Sequence, residues 1–417
     1  MELSDINLLD PDIFTQGVPH DWFTYLRRNA PVYKHSEPRG PGFWVITKHE
    51  DVGIVGRDAK TFSSSARRGG VVGLEEPTPE ERAELESQAA FTGNMMLYMD
   101  PPDHTLYRKI VQDAFRPRMI WALEDRIRER AVRILDDAVA KGECDFVVDV
   151  AAELPLQAIA ELLGVPMEDR HKLFDWSNRM IGSVDPEYAV SEENVRNAQV
   201  EMFLYAQELA ADRRRNPRDD IVTTLLRAEV DGHSLSELDF NLFFLLLSVA
   251  GNETTRNAMS HGMAAFLDHP DQYEILVEDP TVIDTAVEEI VRWASPVMYF
   301  RRNVTQDTEI RGVPIKEGDK VSVWYISANR DEDVFDEPFR FDIRRDPNPH
   351  IAFGHGHHFC LGFNLARLEI KVLFEELAKR VTRLEPGGDI SRLRSNFIAG
   401  IKHLPVRFTE VRQPAGV

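Results

Sequence analysis

Apolar residues recur every three to four positions through most of the stretch from 105 to 290, and that spacing predicts helices there. In "PRMIWALEDRIRERAVRILDDAVAKGE" the apolar stripe runs to Gly142, where a helix stop is expected. "NVRNAQVEMFLYAQELAADRRRN" repeats the pattern. "ELDFNLFFLLLSVAGNETTRNAMSHGMAAFLDHP" differs: it is apolar nearly all round as far as Ala250, which suits a helix buried at the centre of a large protein. Elsewhere the texture changes. "GFWVITKHEDVGIVG" predicts a strand and then a short helix, and "SSSARRGGVVGLEEPTPEE" a long loop. "TEIRGVPIKEGDKVSVWYISANRD" alternates like a hairpin, with turn chemistry at Glu317-Gly318-Asp319. "LGFNLARLEIKVLFEELAKR" predicts one more helix over about 360–380. A mainly α chain with a minor β part (30–65, 295–330 and the C-terminus) fits an α+β fold better than a βαβ series. No repeat, low-complexity tract or Gly/Ser linker divides it, so residues 1–417 are expected to form a single domain.

Composition narrows the function. Hydrophobic residues make up 43% of the 417, enough for a sizeable core. Lys and Arg total 49 against 70 Asp and Glu, a formal net charge of −21 that argues against non-specific nucleic-acid binding. The N-terminal "MELSDINLLDPDIF" has neither a basic n-region nor a long apolar stretch. The longest apolar tract, "LFFLLLSVAG", is far shorter than the roughly 18 residues a membrane span needs. Two cysteines, Cys144 and Cys360, do not make a disulfide framework, and Cys144 reads as an inert buried thiol. A soluble cytoplasmic protein with no membrane span is expected.

The most informative stretch is "HIAFGHGHHFCLGFNLARLE", residues 350–369. A zinc site is one reading, since His355, His357, His358 and Cys360 crowd into six residues. Structural zinc sites, however, usually draw on two separated ligand pairs, and no second Cys/His cluster exists. The other reading starts from the helix that follows. Cys360 sits just before its first turn, where free N–H groups and the positive dipole end favour a thiolate. Gly354, Gly356 and Gly362 leave room for amides to approach the sulfur and for a flat ligand to lie above it. A lone thiolate so placed suits an axial ligand to haem iron.

"FGHGHHFCLGFNLAR" resembles, position by position, the haem-binding signature F-G-x-G-x-H-x-C-x-G-x-x-L-A-R of the cytochrome P-450 monooxygenases. The resemblance implies that Cys360 binds the iron of haem b, Phe353 shields it and His358 reaches a haem propionate. Gly354, Gly362 and Ala366 would belong to the same cradle, while His355 and His357 fall at variable positions.

Three further stretches carry the resemblance. "EEIVRW" places Glu289 and Arg292 at i, i+3. An arbitrary pair of this kind is a weak surface contact, but here the flanks are apolar. With Arg340 of "EPFRF" it matches the family's buried Glu-Arg-Arg network, which holds the cysteine loop. "PPDHTLYRKI" places His104 and Arg108 one helical turn apart, as in the family's H-T-x-x-R, which supplies cations to a propionate. Arg302 of "FRRNVTQD" matches a further propionate partner, with Arg301 as the alternate. Finally, "AGNETT" interrupts the apolar helix with polar groups. Thr254 could simply bond back to the carbonyl four residues earlier. The family's A-G-x-[DE]-T implies instead that Ala250 and Gly251 open a groove for dioxygen, and that Thr254 and Glu253 relay protons.

Taken whole, the resemblance implies hydroxylation of an unactivated C–H bond in an apolar substrate: a steroid, a terpenoid or a branched lipid. Electrons would come from a ferredoxin and ferredoxin reductase, docking on a local basic patch for which Lys109, Arg116, Arg118 and Lys371 are candidates. The pocket would draw on Met95, Met96, Leu246, Val249, Val297, Met298, Phe397 and Ile398. A peroxide-driven oxidase or isomerase is the alternative, followed by a non-enzymatic haem binder. Such oxidase and isomerase relatives often replace the acid–Thr pair, which is retained here as Glu253 and Thr254.

Overall fold

The helix Glu237–Asp268 begins at Ser236, whose side chain caps the Asp239 amide while the Asp239 carboxylate accepts from the Ser236 amide. From that cap it runs through the middle of the protein, buried on nearly every side. In this computed structural model, which describes residues 1–83, 93–189, 191–218, 220–230 and 232–412, the other long helices gather around it. Glu124–Lys141, Glu153–Leu162, Glu192–Arg215, Ile283–Ala294 and Phe363–Arg380 all turn apolar faces into one large core that includes Leu135, Leu154, Met202, Ile290 and Leu373. Gly262 lets two of them come close: a Cβ there would stand 2.9 Å from Ile290 Cγ2 and 3.0 Å from Phe374 Cζ. The central helix therefore packs tightly on both the Glu289-bearing helix and the helix that follows Cys360.

The β part lies to one side. Five strands pair in the order Val32–His35, Phe43–Ile46, Lys320–Trp324, Tyr299–Val304 and Phe62–Ser63. Only the Phe43–Ile46/Lys320–Trp324 pair is parallel. A second core, with Phe23, Phe43, Met298 and Trp324, fills the space between this sheet and the N-terminal helices. Val381–Pro386, Pro405–Val411 and Glu143–Asp145 form a three-stranded sheet.

The predicted helices stand close to where the apolar spacing puts them, except that the stretch ending at Gly142 divides into Pro117–Trp121 and Glu124–Lys141; Gly142 does end the second, at φ 76°. The predicted hairpin is divided differently. Thr308–Ile310 turns back on Val313–Ile315 through Arg311 and Gly312, both at positive φ. Lys320–Trp324 leaves that hairpin to pair with Tyr299–Val304, and Gly318 serves the turn into it. The Arg-Gly dipeptide was the better turn signal, because two successive positive-φ residues make a tight reversal. Among the described residues no helix is long and apolar enough to cross a membrane.

Candidate haem site

The loop before the helix Phe363–Arg380 is built around its own backbone. Cys360 N donates to Phe353 O at 2.8 Å and Gly354 N to Ile351 O at 2.9 Å, so the sulfur sits on a short closed turn. Gly356, at φ +78°, lets the loop lie against the backbone of Gly56, where any Cβ would collide with the Gly56 carbonyl. Behind the loop, Ile351 N donates to Asn329 Oδ1 (2.8 Å) and Asn329 Nδ2 to Ser295 Oγ (2.8 Å). Arg292 reaches the same place, donating from Nη1 to the carbonyls of Asn329 and Pro338, both at 2.9 Å.

Arg292 also holds Glu289 with two 2.7 Å bonds, and neither side chain has any solvent exposure. Burial would raise the Glu289 carboxyl, but the Arg292 guanidinium keeps it below the ordinary range. The third member of this network is not Arg340. That residue is exposed and pairs with Glu337 on the surface. Arg345 takes the place: its Nε lies 3.2 Å from Glu289 Oε2, with its side chain only 10% exposed. Arg340 contributes its backbone carbonyl, which accepts from both Arg292 and Arg345. A second clamp was not foreseen. Arg367 donates to both oxygens of Glu288, at 2.5 and 2.7 Å, and lies 4.8 Å over the Phe353 ring.

In front of the loop is a cavity of about 240 Å³. Cys360, Phe353, Gly354, Gly362 and Ala366 line it, together with Ala250, Gly251 and Thr254 of the central helix. His104, Arg108, Arg302 and His358 line one side. Burial pushes the Cys360 thiol up, with the Gly362 amide, Arg108 and Arg367 acting against it. The position before a helix start is thus not enough to favour thiolate by itself, and the nearby cations offset burial only in part.

The same wall is short of negative charge. His104 Nε2 is buried without a partner, and its imidazolium is disfavoured down to about pH 4 by burial, Arg108 and His357. Its ring centroid lies 4.2 Å from that of His358, with the planes tilted by 52°, and His358 Nε2 lies 3.1 Å from the Met99 carbonyl. Among the described residues neither Arg108 nor Arg302 makes an ion pair, although both face the cavity. Arg301, the alternate, is spent on Asn303 and the Gly73 carbonyl. As for the zinc alternative, the donors do not converge: His355 turns to Arg57 and His358 to Met99.

The oxygen-side residues divide. Thr254 faces the cavity and donates to the Ala250 carbonyl at 2.9 Å, the local bond that its position permits. Glu253 does not line the cavity; it is buried, bonded to Arg256 at 2.5 Å, with Oε1 free of partners. Arg256 continues to Asn178 at 2.9 Å.

Of the eight expected pocket residues, Met96, Leu246 and Val297 line this cavity. Val249 lies off the helix stripe formed by Phe243, Leu246, Leu247, Ala250 and Thr254, and the 3–4 spacing alone would have chosen Phe243 and Leu247 in its place. Met298, one residue past Val297, points to the opposite face and packs with the N-terminal core. Phe397 packs on Tyr299 and Phe300, Ile398 borders a second cavity, and Met95 is buried away from the lining. Leu97, Ile159 and Phe300 line the cavity from separate elements, with no local signal in their sequence surroundings.

Comparison with known proteins decides the family. The model of the family "Cytochrome P450" matches residues 72–391. This chain belongs to the cytochrome P450 family. It is 45% identical to the steroid C26-monooxygenase of Rhodococcus jostii over 96% of this chain and 84% of that one. It is 42% identical to the methyl-branched lipid omega-hydroxylase of Mycobacterium tuberculosis, covering 98% of this chain and 95% of that one. Among solved structures, a Mycobacterium marinum cytochrome P450 in complex with pseudoionone superposes with a TM-score of 0.86 at 38% identity, over 96% of this chain and 98% of that one. As a cytochrome P450 monooxygenase it carries a cysteine-ligated haem. The residues present suit that group. A Cβ on Gly362 would meet nothing within 4 Å, the lining beside Cys360 is largely apolar, and the uncompensated Arg108, Arg302 and His104 await an anionic edge.

Proposed function

We propose that this P450, a single domain acting in the cytoplasm, hydroxylates the terminal carbon of a methyl-branched apolar chain, on a steroid, terpenoid or lipid. The observation that carries the reading is the cavity itself: Met96, Leu97, Phe243, Leu246, Leu247 and Val297 offer no polar atom to orient a substrate by hydrogen bonding. Such a lining selects by shape and favours a slender apolar end. The names of the two curated relatives, C26 of a steroid and the omega position of a branched lipid, share that feature.

Bound to the Cys360 thiolate, haem iron supplies activation of dioxygen and insertion of one oxygen atom. The chain's residues do the rest. His104, Arg108, Arg302 and His358 hold the propionates, and Phe353 covers the sulfur. The apolar wall excludes water. Thr254 offers its hydroxyl to the oxygen side, releasing the Ala250 carbonyl as it does so. Glu253, anchored by Arg256, supplies protons to it from behind. Replacing Thr254 with Ala should leave haem binding and substrate affinity unchanged while diverting most of the consumed NADH into hydrogen peroxide. Product and peroxide are measured together in reconstituted turnover; unaltered coupling would remove Thr254 from proton delivery.

Electrons come from an acidic ferredoxin with its reductase. Lys109 and Arg118 are exposed and make no ion pair among the described residues; Arg116 and Lys371 are already paired with Asp113 and Asp284. The test is turnover with a steroid, an acyclic terpenoid and a branched fatty acid, locating the oxidised carbon and following the reduction rate against salt. Hydroxylation away from chain ends would refute the terminal reading. A salt-independent rate would refute electrostatic docking.

A further inference from the structure

A second cavity, of about 260 Å³, is lined in part by Met298 and Ile398, neither of which lines the haem cavity. Its ionisable lining is cationic or neutral on the inside: His20, His261, Arg330 and Arg392, with Asp268 exposed at the end of the central helix. Arg330 is only 3% exposed. Its Nη2 donates to the Trp293 carbonyl at 2.8 Å, and its guanidinium lies 4.7 Å over the Trp293 ring. Among the described residues Nε and Nη1 have no hydrogen-bond partner. His20 Nδ1 is likewise buried and unpartnered. His261 donates from Nε2 to the Ala399 carbonyl, leaving its other nitrogen to the cavity side.

Apart from Asp268, which lines the cavity near Arg392, the carboxylates that act on this region are already committed. Glu289 serves Arg292 and Arg345, and Glu332 serves Arg27 and Arg28. Arg330 is the surplus cation of this region. Burial and the charges of Arg292 and Arg27 push its pKa well below the ordinary arginine value, against the pull of Glu289. Arg392, half-buried in the same lining, makes no ion pair among the described residues; burial lowers its pKa, and the charge of Asp268, in the same lining, acts against that. Water could satisfy the free N–H groups of Arg330, but not its charge.

We infer that this cavity is a binding site for a small oxyanion, a carboxylate or phosphate group, held between Arg330 and Arg392. Phe14, Val18, Met298 and Ile398 on its remaining sides would accept a short apolar group attached to that anion. The site is separate from the haem cavity and does not depend on the substrate proposed above.

The test is calorimetric titration of the haem-loaded enzyme with acetate and with inorganic phosphate at constant ionic strength. Saturable binding of either probe is expected, weakening at least about tenfold in Arg392→Ala and in Arg330→Lys, because each loses charge-assisted donors. Binding of acetate alone assigns the site to carboxylates, and binding of phosphate alone to phosphate groups. Absence of saturable heat with both probes overturns the inference, and so does equal affinity in the wild type and Arg392→Ala. Should Arg330→Lys fail to fold, the half-buried Arg392 carries the comparison.

Discussion

Cys360→His is expected to abolish the red-shifted Soret band of the ferrous carbon-monoxide complex, and to reduce product formation by at least about a hundredfold. Loss of an outer-shell partner alone already costs up to that much in metal sites, and here the ligand itself changes from an anionic sulfur to a neutral nitrogen. The polar groups around the sulfur are those that suit an anion. The Gly362 amide, Arg108 and Arg367 all act to stabilise negative charge at Cys360, against a burial that opposes it. A neutral imidazole on the same turn makes no use of them. The backbone bond from Cys360 N to the Phe353 carbonyl does not involve the side chain, so the loop should keep its shape and the variant should still take up haem. The spectrum and the turnover assay together decide the matter. A variant that retained both the red-shifted band and wild-type turnover would show that position 360 is not the ligand.

What was legible in the sequence, and what was not, follows from how local each signal is. The cysteine loop and the Glu289–Arg292 pair are each encoded within a few residues, and each stands where its motif puts it. Arg302 could be told from Arg301 only once the sheet was formed, because alternation along Tyr299–Val304 sends one to the cavity and the other to Asn303. The pocket was harder still. Val249 is apolar and adjacent to Ala250, but adjacency on a helix means a turn of about 100° away, while Phe243 and Leu247 share the face. Phe397 and Met298 are apolar for the sake of a core the motif does not mention. Glu253 is the instructive case. Its neighbour Thr254 faces the cavity, so Glu253 must point elsewhere, and Arg256 one turn on gives it a buried partner. An i, i+3 acid–arginine pair was visible in "NETTR", but nothing local said that it would be buried.

Arg345 and Arg340 give the sharpest structural test. Arg345→Leu is expected to destabilise the haem-loaded protein by about 3–5 kcal/mol, the cost of removing one partner from a buried ion network. Three bonds go with it, to the carbonyls of Asp336, Glu337 and Arg340, which pin the segment between the Glu289 helix and the cysteine loop. Arg340→Ala should leave the unfolding midpoint where it is, since that side chain points to solvent and what the network uses is its carbonyl, which alanine retains. The measurement is urea unfolding followed by the haem absorbance and by far-ultraviolet circular dichroism. In Arg345→Leu the haem signal should be lost at lower urea than the helical signal, because the network supports the loop that carries the ligand and not the helical core. If instead Arg340→Ala proved the costlier substitution, the role would return to the residue that the family motif first suggested. The segment 337–345 would then have to refold so as to bury Arg340 against Glu289.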